Sequence, residues 1–241
     1  MISEPDAPPG GAVAVTSVGA GTDVVFLSGM AVYRYLRTTR DLVARRARAH
    51  IVHLPGTGDA PDPPRPVGLP GDVAATVDWL EQNPEVGPVV LVGHSYGCQV
   101  AGRVAAALPD RVTALVLAGP SIDPAYRTWP RLLARFALES GATPAHLGLM
   151  QLSEQRRAGA RRMLAIVRSM LADDPEKTLA RVHVPMTVVR GEDDRLCTEQ
   201  WARRLADRPG GSYVRVEGGM HAFPYDRPEA LADAVKAHLP R

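Results

Sequence analysis

The chain has 241 residues, of which 45% are hydrophobic and 22% charged, and its formal net charge is +2. That length predicts one domain with a large core and room for an insertion, and a charge so near zero leaves out a nucleic-acid binder held by phosphate contacts. No apolar run approaches the ~18–20 residues of a membrane span, and the N-terminus has neither a basic n-region nor an apolar h-region, so the sequence reads as cytoplasmic, without a membrane partner.

Residues 1–11 read as a flexible polar tail. Strands are predicted over 12–17 and 22–27, the second followed by the loop Ser28-Gly29-Met30. The arginine-rich stretch 33–48 predicts an amphipathic helix, with Leu36, Leu42 and Val43 inward and the arginines in solvent. A strand over 49–54, a proline-rich loop over 61–70 and a helix over 72–82 follow. An apolar strand then runs into Ser95, and a helix leaves it. Further strands are predicted over 111–118, 184–190 and 212–216, with helices over 199–207 and 228–238. Strands alternating with helices predict an α/β fold: a mostly parallel sheet with helices on both faces, its two parts spanning 12–120 and 184–241.

Between them, residues 121–183 read as helices only. Trp129, Leu132, Leu133 and Phe136 form one apolar stripe, and Met163, Leu164, Ile166, Val167, Met170 and Leu171 another. Ligands of open α/β sheets bind at the carboxyl ends of the strands, so this insertion is expected there as a small helical cap.

The chemistry-bearing signal is Gly93-His94-Ser95-Tyr96-Gly97, a G-x-S-x-G between a strand and a helix. That context holds a serine on a sharp turn at the positive end of a helix, placed to attack a carbonyl carbon if a base lies nearby. His221, on the glycine-containing loop 217–223, is the expected base. A carboxylate after strand 184–190 would hold its imidazole: Asp194 or Asp193, with Asp123 a third possibility. His94 is read as a structural hydrogen-bonding residue under the turn. The other histidines are scattered, and Cys98 and Cys197 have no C-x-x-C spacing, so no metal, cofactor or disulfide is expected.

In these segments the chain resembles the α/β-hydrolase superfamily, in particular its small capped members. Gly93 to Gly97 looks like that family's nucleophile elbow, residues 188–194 like the strand and turn carrying its acid, and 217–223 like its histidine loop; the order Ser, Asp, His also matches. The resemblance implies Ser95, Asp194 and His221 as a catalytic triad, the spacing from Gly191 favouring Asp194. It also implies an oxyanion hole from the backbone N–H groups of Tyr96 and Met30, although this chain has Ser28-Gly29 where many relatives have His-Gly.

Met30 and Met220 flank this machinery, and Met150, Met163 and Met170 lie in the insertion. As substrate-binding residues they would suit a small, apolar acyl group. The expected function is a serine hydrolase that cleaves an ester or thioester of a small molecule through an acyl-enzyme. The alternatives are a non-hydrolytic eliminase, cyclase or acyltransferase of a biosynthetic pathway on the same scaffold, and a binding protein that has lost catalysis.

Overall fold

The computed structural model describes residues 13–63 and 68–240; the expected tail over 1–11 and positions 64–67 of the proline-rich loop lie outside the described residues. Short runs of β-branched and apolar residues make seven strands. These are β1 (Ala14–Gly19), β2 (Asp23–Leu27), β3 (Arg48–His53), β4 (Val89–His94), β5 (Val112–Ala118), β6 (Met186–Gly191) and β7 (Gly211–Val216). They form one sheet in the order β1-β3-β2-β4-β5-β6-β7, in which only the β1–β3 pairing is antiparallel.

Side chains alternate between two cores, as the strand period of two requires. Val25, Leu27, Leu91 and Leu115 join one, with Trp79, Val100 and Trp201 from the helices. Val24, Phe26, Val90 and Val92 join the other, with Leu36, Val43 and Leu231. Every residue of β2, β4 and β6 is buried, which only a sheet covered on both faces allows.

In chain order the helices are α1 (Arg37–Val43), α2 (Leu69–Gln82), α3 (Tyr96–Ala107), α4 (Trp129–Ala142), α5 (Ala145–Ala158), α6 (Ala160–Ala172), α7 (Pro175–Leu179), α8 (Glu199–Ala206), α9 (Phe223–Asp226) and α10 (Pro228–Lys236). Among the described residues, none is long and apolar enough to cross a membrane. The helix expected over 33–48 is shorter: a 3₁₀ turn, Arg34–Leu36, leads into α1, which stops at Val43. Arg48 instead opens β3, where it pairs with Gly19 and Asp23 and its guanidinium binds the Asp23 carboxylate. The helix expected from 72 begins at Leu69 instead.

Helices α4 to α7 and a 3₁₀ turn at Pro124–Tyr126 supply all the regular structure of the long connection between β5 and β6. Their apolar stripes bury only in part. Leu132, Ile166 and Met170 are buried, while Trp129, Leu133 and Leu164 keep 39%, 57% and 42% of their surface exposed.

Polar side chains do much of the fastening. The Glu154 carboxylate accepts from Tyr33 N–H at 2.9 Å and pairs with Arg34 at 2.7 Å. Leu69 N–H donates to Ser169 Oγ at 2.9 Å. Arg162, fully inside, pairs with Asp72 at 2.8 Å, and the other Asp72 oxygen accepts from the Tyr96 hydroxyl at 2.6 Å. Burial outweighs the charge of Arg162 and pushes the Asp72 carboxyl up to about 6.

Candidate active site

The turn at the end of β4 is built from glycines because nothing larger fits. A Cβ at Gly93 would meet Gly97 O at 2.5 Å, and one at Gly97 would meet Leu27 O at 2.1 Å. Between them Ser95 has φ 53° and ψ −119°, a conformation that costs an L-residue about 1–3 kcal/mol. The surroundings impose it: Ser95 N–H donates to Ala118 O at 2.9 Å, and Cys98 N–H donates to Ser95 O at 3.0 Å. The Ser95 hydroxyl does not cap α3.

Of the three possible acids, the structure brings one to His221. Asp194 Oδ2 accepts from His221 Nδ1 at 2.9 Å, while Oδ1 accepts from Leu196 N–H and Cys197 N–H, both at 2.8 Å. Burial alone would raise the Asp194 carboxyl, but the charge and hydrogen bond of His221 and these two N–H groups hold it below the usual 3.8. Asp123 is occupied elsewhere, accepting from Ala125 N–H and Thr198 Oγ1, and Asp193 faces solvent. Burial disfavours the His221 imidazolium, yet the Asp194 charge, their hydrogen bond and the Glu139 charge together raise its pKa above 6.5. With Nδ1–H donated to Asp194, Nε2 carries the lone pair. That atom is buried without a hydrogen-bond partner among the described residues, and Ser95 and His221 line the same cavity.

Two backbone N–H groups are expected to face Ser95. Those of Tyr96 and Met30 make no hydrogen bond among the described residues. The Met30 loop passes close over the nucleophile turn: a Cβ at Gly29 would lie 3.4 Å from the Ser95 β-carbon. A relay holds it there. Gly29 N–H donates to the Tyr35 hydroxyl at 2.8 Å, Tyr35 donates to His94 Nδ1 at 2.6 Å, and His94 Nε2–H donates to His221 O at 2.9 Å. The direction follows from the last bond, since a carbonyl only accepts. Burial, with the neighbouring His221, pushes His94 down to about 3, so it stays neutral and keeps this direction. Cys98 and Cys197 are both free and buried, and burial drives their thiols up.

The cavity measures about 260 Å³. Met30, Val32, Phe136, Met163 and Leu196 give it an apolar side; Glu139, Gln151 and Gln155 come from α4 and α5. Met220 is elsewhere: it lines a neighbouring cavity of about 70 Å³ with His146, Leu147 and Tyr225. Met170 is in one core and Met150 packs against the other, so of the three methionines noted in the insertion only Met163 lines the Ser95 cavity.

Glu139 carries no signal in the sequence. Buried on α4, its carboxylate accepts from His221 N–H at 3.0 Å and from Arg195 N–H at 3.2 Å. It thus ties the histidine loop to the turn that holds Asp194. The assembled arrangement is a serine on a strained backbone, an imidazole with a free basic nitrogen backed by a carboxylate, and the unengaged N–H groups of Tyr96, next to Ser95 in the chain, and of Met30, which lines the cavity. Such a set can take a proton from an alcohol, attack a carbonyl carbon and hold the resulting oxyanion.

The model of the Alpha/beta hydrolase family matches residues 24–234. Among curated proteins, the chain is 35% identical over 133 residues to a pimeloyl-[acyl-carrier protein] methyl ester esterase of Chromobacterium violaceum, covering 53% of this chain and 49% of that protein. It is 28% identical over 218 residues to the protein of the same description from Aeromonas hydrophila, covering 86% of this chain and 70% of that one. The matched part thus spans about half the length of the first relative. Among solved structures, a thermophilic esterase from Thermogutta terrifontis superimposes with a TM-score of 0.76 at 18% identity, covering 93% of this chain and 92% of that one, a likeness of fold.

Proposed function

The chain belongs to the alpha/beta hydrolase family, and we propose that it is a carboxylic ester hydrolase that works through an acyl-enzyme on Ser95. The observation that carries this reading is the unpartnered Nε2 of His221, whose other nitrogen is locked to Asp194, on a residue that lines the same cavity as Ser95.

His221 Nε2 takes the Ser95 proton as Oγ bonds to the ester carbonyl carbon. The carbonyl oxygen becomes an oxyanion and receives the Met30 and Tyr96 N–H groups, fixed dipoles that need no reorganisation. Asp194 keeps the imidazole in its tautomer and stabilises the imidazolium. Collapse of the intermediate breaks the ester C–O bond, and His221 returns the proton to the departing alcohol. Water then repeats the sequence on the acyl-enzyme, with His221 as base, and releases the carboxylic acid and free Ser95.

The names of the two curated relatives support a small alcohol, methanol above all, as the leaving group; the acid part is a small molecule that fits the cavity. Two measurements test the reading. Intact mass after treatment with a fluorophosphonate is expected to show one adduct, absent in Ser95→Ala, and methyl esters of short acids are expected to turn over. An unlabelled wild type that hydrolyses none of them would overturn it.

A further inference from the structure

The insertion side of the Ser95 cavity mixes apolar Phe136 and Met163 with polar side chains. Gln151 and Gln155 lie four residues apart on α5, hence on one face of it, and both line the cavity. Both are half-buried. Gln99 uses its amide on Met170 O and Asp173 Oδ2. Gln151 and Gln155, by contrast, make no side-chain hydrogen bond among the described residues. Glu139 and Thr143 stand beside them, already engaged: both Glu139 oxygens accept backbone N–H groups, and Thr143 Oγ1 donates to Glu139 O at 2.9 Å. The two glutamines are therefore the amides of this wall left open to a ligand, and an amide covered by an alkyl chain loses its water without replacement. The cavity lies near the lower end of the ~300–1,000 Å³ of small-molecule sites, which suits a short acid.

Resting on the esterase reading above, we infer that Gln151 and Gln155 select the substrate. They hold an uncharged hydrogen-bonding group (a hydroxyl, ketone or carboxamide) at the far end of a short acyl chain whose ester carbon sits at Ser95. The Met30, Val32 and Met163 side takes the methylenes between. The fixed negative charge of Glu139 on the same wall opposes an acid that ends in a second carboxylate.

The test uses p-nitrophenyl esters of equal chain length ending in methyl, hydroxyl, carboxamide or carboxylate. For the wild type, kcat/KM on the hydroxyl- and carboxamide-ended esters is expected to exceed that on the methyl-ended ester by about tenfold or more, with the carboxylate-ended ester lowest. In Gln151→Leu/Gln155→Leu the order of methyl and polar ends is expected to reverse, with fluorophosphonate labelling as the check that the variant is folded. A wild type that prefers the methyl-ended or carboxylate-ended ester overturns the inference without help from any variant. So does a folded double variant whose ratio of polar to methyl end moves by less than about twofold. Both results leave ester hydrolysis standing. Failure to cleave all four esters, with no adduct, refutes the hydrolase reading instead, and this inference with it.

Discussion

The molecule brings serine, histidine and aspartate together twice, at opposite ends of its strands. One is Ser95, His221 and Asp194, beyond the carboxyl end of β4. The other is Ser17, His50 and Asp23, where β2 begins and β1 pairs with β3. In the second set every bond is made: Ser17 Oγ lies 2.7 Å from His50 Nδ1, and His50 Nε2 lies 2.8 Å from Asp23 Oδ1. Asp23 also binds the Arg48 guanidinium and the Gly87 N–H. Burial then prevails and takes the His50 pKa below 6.5, whereas that of His221 is raised. Ser17 lies within a strand ladder, where Ser95 is forced to a positive φ. The same three residue types are thus closed and satisfied in one place, and in the other are left with an open basic nitrogen, a strained serine backbone and unengaged N–H groups. Residue type alone does not make a site; the unfinished hydrogen bonding does.

The sharpest attempt to break this contrast is labelling. Ser95→Ala is expected to lower kcat by about ten-thousand-fold or more and to abolish the fluorophosphonate adduct. Ser17→Ala is expected to keep both, so an adduct mapped to Ser17 by peptide mass would end the distinction. The aspartates come next. Asp194→Asn should cost about 10⁴-fold in kcat, since the imidazole loses its tautomer. Asp23→Asn should change kcat by only a few-fold while lowering stability by about 1–3 kcal/mol, read from urea midpoints.

Glu139→Ala is expected to reduce kcat by about 10–100-fold, because it frees the backbone at His221 and Arg195 and lets the base drift. Restoration of most of that loss in Glu139→Gln, whose amide oxygen can still accept one of the two N–H groups, would show that position rather than charge matters.

The smallest effect is pH. The base must be neutral, so kcat/KM should fall about tenfold per unit below the raised His221 pKa, which lies above 6.5. In stability the two histidines have opposite signs. The contribution of His221 is complete below 6.5 and is lost as pH rises through its folded pKa. That of His50, whose folded pKa is lowered, is complete above 6.5 and is lost as pH falls through that pKa. Urea midpoints of wild type and His50→Asn should therefore converge toward acid pH; a constant gap would remove His50 titration from the account.

Much of this was legible in local patterns. Alternation of apolar strands with amphipathic helices gave the sheet and its coverage, and glycine spacing gave the elbow. The helix expected over 33–48 failed at its end because Arg45, Arg46 and Arg48 carry no hydrophobic period, and pairing with β1 and β2 decided the matter. Met220 was adjacent in sequence to His221 yet turned into the neighbouring cavity, since adjacency says nothing of side-chain direction after a turn. Glu139, Tyr35 and the two glutamines gave no signal. Glu139 and Tyr35 act through partners far along the chain, as Glu139 does on His221 across 82 positions, and the two glutamines reach the cavity only through the packing of the insertion.

The Arg162–Asp72 pair, with Tyr96 on its far oxygen, bears on how anything reaches Ser95. Removing either partner would leave the other charge buried and uncompensated, a loss of about 3–5 kcal/mol, and the pair ties α6 of the insertion to α2. That tie favours the docked position of α6, whose Met163, next to Arg162, lines the Ser95 cavity. With α6 docked, a substrate meets Ser95 in the cavity as the docked insertion shapes it.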